Sequence, residues 1–318
     1  MPVLCLILAC AFWGLSFPVV KALHLEQTMR LPGAGSEFLS AWMQVARFGL
    51  GALILLPFVV RCRRPGRLEL RQGFWLAFWG GTGMALQADG LAHTAASTSA
   101  FLTQTYCVIL PLIACARLRK APEFRIVAAT LLVMAGCAVL SGMKPGDLRI
   151  GRGELETILA SVLFTFQILA LENPVYRENR GLPVTFVMCA VIAVMLAPVT
   201  ILTAPSPAAL LAAGASWPAV FLVIVLTVFS SVGSYLLMNH WQPRISATEA
   251  GLIYTTEPVF TACYVLFLPQ WLAHLTGSGY PNESPGMTMF VGGGMILAAN
   301  IFMQIKRKPH MPAIAPAP

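Results

Sequence analysis

Apolar runs of about 20 residues, the length that crosses a bilayer as a helix, recur along this whole sequence with only short polar interruptions. Hydrocarbon offers the backbone no hydrogen bonds, so runs of this kind must satisfy their own N–H and C=O groups and fold as helices. Apolar residues make up 57% of the 318 and charged residues 11%. That charge is about half of what a soluble domain carries, so a solvated surface cannot be built. Segmenting at breakers and charges gives spans near 3–22, 38–60, 73–95, 96–117, 124–142, 153–172, 182–204, 217–241, 246–268 and 287–305. The third and fourth are the closest pair, folding back at the small and polar HTAASTS. The expected fold class is an all-α polytopic membrane protein with ten transmembrane helices.

The basic residues set the orientation. With the N-terminus inside, 15 of the 21 Lys and Arg residues fall in internal loops and four outside, while Lys21 and Arg47 lie within spans. Excess Lys and Arg marks the cytoplasmic side. The sequence therefore predicts a multi-pass protein of the inner (cytoplasmic) cell membrane with both termini cytoplasmic. The same distribution explains the net charge of +8 by topology and gives no reason to expect nucleic acid. The first span has no basic lead-in and no small-residue cleavage site, so it reads as a span and not a signal peptide. The proline-rich segment 307–318 reads as a disordered cytoplasmic tail, and 269–282 as a long external insert. Eight cysteines form no CxxC pair and five histidines show no ligand spacing, so neither a metal site nor a disulfide framework is expected.

The chain also repeats itself. Residues 7–14, ILACAFWG, align with 158–165, ILASVLFT, and 99–111, SAFLTQTYCVILP, align with 246–258, SATEAGLIYTTEP. The offsets, 151 and 147, point to one duplication. Five spans per half is an odd number, so the second half enters the membrane with opposite polarity. Inverted repeats of this kind are typical of secondary transporters, with a site near the midplane.

The same residues carry a likeness. AFWGLSFPVVK at 11–21, with its Trp-Gly pair and closing lysine, resembles the first helix of EamA-type transporters of the drug/metabolite transporter superfamily. Residues 246–258, with Ser-Ala and then Glu-Pro, resemble that family's ninth helix. Arg47 falls where its second helix commonly has arginine, and Glu283 followed by Gly292 resembles its step into helix ten. The resemblance implies two EamA repeats of five helices, at 1–148 and 149–306, and export or uptake of small solutes.

Ionisable groups within a span are costly and face a cavity or a partner. Glu257 is central in span nine, Arg47 near the centre of span two, and Asp89 toward the outer part of span three. Ala250, Tyr254, Glu257, Thr261 and Tyr264 fall on one helix face, as do Ser40, Gln44, Arg47 and Gly51. Pro258 and Pro111 remove one helical hydrogen bond each, at points the second alignment treats as equivalent, with Leu110 opposite Glu257. The candidate solute or ion pathway comprises Glu257, Arg47, Asp89, Tyr254, Gln104, Trp13 and Tyr106, with helix breaks at Pro258 and Pro111. The structural alternative is an Arg47–Glu257 or Arg47–Asp89 pair that ties helices together.

An integral-membrane enzyme, a channel and a purely structural duplication are the rival readings. No HExxH, CxxC, GxSxG or P-loop pattern occurs, so an enzyme is not expected. The favoured reading is a secondary transporter of a small metabolite, amino acid or drug-like solute. It would work by alternating access, as an exporter coupled to protons or to solute exchange. Its expected partners are the solute, the bilayer and protons, with a homodimer left open and no cofactor.

Overall fold

The computed structural model describes residues 1–62, 64–94, 96–119, 121–140 and 150–304. All regular elements among them are helical. In chain order they are α1 (Pro2–Arg30), α2 (Ser36–Cys62), α3 (Arg67–Leu76), α4 (Thr82–His93), α5 (Ala96–Thr103), α6 (Tyr106–Leu118), α7 (Phe124–Leu140), α8 (Arg152–Glu172), α9 (Gly181–Thr203), α10 (Pro207–Ala212), α11 (Trp217–Val225), α12 (Ser234–Trp241), α13 (Ala247–Tyr254), α14 (Glu257–Tyr264), α15 (Leu268–Thr276) and α16 (Met287–Gln304).

Five stretches, Pro2–Arg30, Ser36–Arg61, Arg152–Glu172, Gly181–Thr203 and Trp217–Arg244, are long and apolar enough to cross a membrane. Ala247–Tyr264 with Leu268–Thr276 makes a sixth if that pair, bent by 64°, is one span. Phe101–Ala116, Phe124–Leu140 and Met287–Met303 are apolar but shorter. The molecule is a multi-pass membrane protein, and its side chains are sorted accordingly. Leu53, Phe58, Val194, Leu202 and Phe290 point outward, whereas Ser161, Thr165, Thr227, Ser230 and Ser234 are fully buried. Thr165, Thr227 and Ser234 donate to the carbonyls one turn back, those of Ser161, Val223 and Ser230, and so carry their own acceptors into the interior, while Ser230 donates across to Phe12 O.

Element boundaries recur at the first of the two offsets, 151. α5 and α13 match at both ends (Ala96 with Ala247, Thr103 with Tyr254), and α6 and α14 begin at matching positions (Tyr106 with Glu257). π-Helical turns at Ala77–Gly81 and Leu226–Gly233 link α3 to α4 and α11 to α12. The correspondence extends to single hydrogen bonds at the two interruptions. Thr105 N–H donates to Leu102 O (3.1 Å) and Thr256 N–H to Ile253 O (3.0 Å). Val108 N–H donates to Thr105 O (3.0 Å) and Val259 N–H to Thr256 O (3.1 Å). Both pairs of bonds are related by that same offset.

This register corrects the 147-residue alignment of 99–111 with 246–258. The two differ by four residues, about one helical turn, so the sequence match kept the helix face and missed the level. Pro111 is consequently not the first-half break. It lies inside α6, and the interruption falls one to two turns earlier, at Gln104–Thr105. Tyr106, not Leu110, stands opposite Glu257; Leu110 is buried at 1% exposure and packs on Gly251.

One further expectation changes. The external insert 269–282 contains α15, whose Leu272 is buried and whose Trp271 meets Phe221 edge-on. Gly277 ends it in a left-handed conformation (φ 72°) that suits glycine. The boundary at 148/149 and the tail 307–318 lie outside the described residues.

Candidate functional site

The Glu257-Pro258 pair sits at a helix start. α13 stops at Tyr254, Thr255 and Thr256 make a turn, and Glu257 is the first residue of α14 with Pro258 second. A helix's first N–H groups have no intrahelical partner, so proline there forfeits nothing, and an acidic residue favours the positive end of the helix dipole. Two residues that look like liabilities inside a span are favourable where the span restarts.

α1 fixes the position of that restart. A Cβ on Gly14 would stand 2.8 Å from Phe260 Cβ and 3.1 Å from Glu257 O, so only glycine allows the approach. Thr261 Oγ1 donates to Gly14 O (3.3 Å) and the Cys10 thiol to Ile253 O (3.6 Å). At the first-half break, the Thr105 and Ser161 hydroxyls are hydrogen-bonded, their Oγ atoms 2.8 Å apart. Ser161 is the repeat counterpart of Cys10 in the alignment of 7–14 with 158–165, so a small polar residue supports both breaks.

The breaks open onto a central cavity. Its lining is paired at the same spacing: Trp13 with Phe164, Ser16 with Gln167, Phe17 with Ile168, Met84 with Tyr235, Gln87 with Met238, Thr103 with Tyr254, and Tyr106 with Glu257. Six lining residues have no lining counterpart at this spacing: Met43, Gln44 and Arg47 on α2, and Val20, Ala88 and Leu91, the last three of which correspond to Leu171, Asn239 and Gln242. Those three counterparts are buried, and the latter two are tied down. Gln242 Nε2 donates to Ile168 O (2.7 Å) and Tyr254 Oη to Gln242 Oε1 (2.8 Å). Asn239 Nδ2 donates to Thr185 Oγ1 (2.9 Å). The cavity thus extends toward the end holding Val20 and Leu91 and is sealed at the end holding Gln242. A second chamber, lined by Lys21, His24, Ser40 and Thr94, continues past Val20, Met43, Ala88 and Leu91 in the open direction.

Five of the seven expected pathway residues line this cavity: Glu257, Arg47, Tyr254, Trp13 and Tyr106. Trp13 meets Tyr235 and Tyr254 edge-on, at 5.5 and 5.3 Å between ring centroids. Gln104 stands behind the lining and accepts from Tyr106 Oη (2.8 Å). Asp89 lies elsewhere. It accepts from Arg152 Nη2 (2.6 Å), whose guanidinium also holds Glu37 (2.9 Å) and Glu156 (2.8 Å). That network ties α2 and α4 to the start of α8. Neither expected pair of Arg47, with Glu257 or with Asp89, occurs among the ion pairs of the described residues.

Sequence reasoning missed Phe164, Gln167 and Tyr235 as lining residues. A signal was present for Phe164, which the 151-residue alignment sets opposite Trp13. Gln44 lay on the same face as Arg47 and does line the cavity. Among the described residues, no group of three or more His, Cys, Asp or Glu side chains could hold a metal ion. With one guanidinium, one carboxyl and an otherwise amide, hydroxyl and apolar wall, the cavity can bind and orient a small molecule.

The model of the EamA-like transporter family matches residues 1–142. The first 142 residues are thus similar to EamA-like transporters. A protein of Archaeoglobus fulgidus described as an uncharacterized transporter is 23% identical over 301 residues, covering 95% of this chain and 85% of its own. One crystal structure superposes with a TM-score of 0.67 at 16% identity, covering 96% of each chain, which is a likeness of fold. The EamA match includes AFWGLSFPVVK and Arg47, while the motifs around Glu257 and Glu283 lie beyond it.

Proposed function

We propose that this chain is an EamA-type secondary transporter that moves a small metabolite, amino acid or drug-like solute by alternating access. It acts in the cell membrane with both termini cytoplasmic, as an exporter coupled to protons or to solute exchange. The carrying observation is the paired lining: seven residue pairs at one spacing surround a cavity that extends toward a single end. Two halves of opposite polarity, 1–148 and 149–306, would account for it. Each would contribute five spans, the third through a π-helical turn and the fourth as a broken helix, α5–α6 in one half and α13–α14 in the other. Exchanging the conformations of the halves would open the Gln242 end and close the Leu91 end around an unmoved centre. Glu257, central and without a basic partner within 4 Å among the described residues, is the group assigned to proton or ion coupling.

The test is flux in liposomes containing the purified protein. Saturable uptake that is accelerated by unlabelled solute on the opposite side supports the reading. Chemical conversion of the solute, or unsaturable flux without counterflow, overturns it.

A further inference from the structure

Resting on the transporter reading, the inference concerns what the solute must present to the cavity wall. Arg47 is 6% exposed, lines the cavity and has an Nε with no hydrogen-bond partner. Its Nη2 reaches only the Met84 sulfur, at 3.6 Å. Tyr235 Oη donates to that same sulfur at 3.1 Å. A thioether is a weak acceptor, so two good donors converge on an atom that satisfies neither. The Phe48 ring, 4.8 Å from the guanidinium carbon, offers a π-face but no lone pair. Close by in the same wall, Gln44 Nε2 is fixed on Met84 O (3.1 Å), and Trp13 Nε1, also in the lining, is buried without a partner. The Gln44 Oε1 acceptor in this wall is also without a partner, but Arg47 Nε and Trp13 Nε1, with the two donors that meet only the Met84 sulfur, outnumber it.

Charge gives the same direction. Arg47 and Glu257 are the charged residues among the described lining. A carboxylate meets burial by taking up a proton, whereas a guanidinium keeps its charge throughout the accessible pH range. A buried cation with no counter-ion is strongly unfavourable, and a planar anion relieves it best because it matches the guanidinium fork. One fixed positive charge fits a single negative charge. The remaining wall, including Phe164, Ile168 and Met238, suits an apolar body.

We propose that the transported solute carries a carboxylate, held by Arg47 and Tyr235 in the place where their donors now meet the Met84 sulfur. Met84 is a stand-in acceptor for these donors, and Tyr235 is a specificity-determining residue.

The experiment measures equilibrium binding of three probes with one body, phenylacetate, phenylacetamide and phenethylamine, to the purified full chain. Phenylacetate is expected to bind at least ~10-fold tighter than the amide, the scale of one charge-assisted hydrogen-bonded pair. Arg47→Gln should remove that preference, and Met84→Leu should keep it. If Arg47→Gln does not fold, Tyr235→Phe serves instead and should narrow the preference. Equal binding of acid and amide, tightest binding of the amine, or binding of none of the three overturns the proposal. Liposome flux separates the two readings. Amide or amine flux without preference for the acid overturns the carboxylate and leaves the transporter. Phenylacetate binding with no flux of it keeps the carboxylate site and overturns transport.

Discussion

The two interrupted helices, α5–α6 and α13–α14, share a backbone and differ in charge. Both stop for two residues, both restart on a side chain that lines the cavity, and their turns use the same hydrogen bonds. Yet the restarting residue is Tyr106 in one and Glu257 in the other. Tyr106 has a partner in Gln104, while Glu257 faces the cavity. The difference separates scaffold from chemistry. A repeated break supplies two helix starts at the centre, and only one is given a carboxyl group.

Substitutions at the two restarts should therefore be unequal. Glu257→Gln is expected to abolish the pH-dependent part of solute flux in liposomes while the protein still inserts. Tyr106→Phe removes one neutral hydrogen bond, about 1 kcal/mol, and should leave pH dependence intact. Equal losses of pH dependence would break the comparison.

The next effect concerns the close approach at Gly14. Gly14→Ala forces Phe260 and the Glu257 carbonyl away, an overpacking cost of about 1–3 kcal/mol, read as a lower thermal midpoint in detergent. The repeat counterpart of Gly14 is already Thr165, so Thr165→Ala should cost less. A larger loss at Thr165 would mean that α8 and not α1 sets the geometry.

The threonines of the turns should behave alike. Thr105 Oγ1 donates to Leu102 O (2.7 Å) and Thr256 Oγ1 to Ile253 O (2.8 Å). Valine at either position should cost about 1 kcal/mol, and clearly unequal losses would deny that the turns are one device.

The smallest expected effect lies outside the apolar runs, in the ion pair Arg180–Glu69, where Arg180 Nε and Nη2 donate to Glu69 at 2.8 and 3.0 Å. Burial alone would raise the Glu69 carboxyl, but the Arg180 side chain and the N–H groups of Gly66 and Arg180 outweigh it and hold it below the usual range. A carboxyl lowered on folding contributes stability above its unfolded value, and that stability is lost as pH falls through the folded value. Glu69→Gln should lower the thermal midpoint slightly at neutral pH, flatten the acid limb of its pH profile, and leave the midpoint below the folded value little changed. The pair is part-exposed, so the effect is small. An unaltered acid limb would leave this end of α3 without an electrostatic tie to α9, unlike the end where Arg152 holds Asp89.

Much of this was legible in the sequence because hydropathy is a local property. A run of about 20 apolar residues is driven into the bilayer whatever its neighbours are. The same cost makes a midspan Glu257 or Arg47 stand out, and both do line the cavity. The 151-residue spacing was legible too, since Trp13 and Phe164 are set opposite each other by it and both line the cavity.

What tertiary structure alone decided is register and partnership. Whether a helix breaks at Pro111 or at Gln104 depends on which carbonyls find donors, and a proline can be carried within a helix when its surroundings permit. Asp89 looked like Arg47 and Glu257 in one dimension. Its fate was set by Arg152, distant in sequence but 2.6 Å away in the fold, because an ion pair is a matter of distance in space. The charge of Glu257 is written in the chain, whereas its place as the counterpart of Tyr106, at a helix start in a cavity wall that also holds Arg47, exists only once the helices pack.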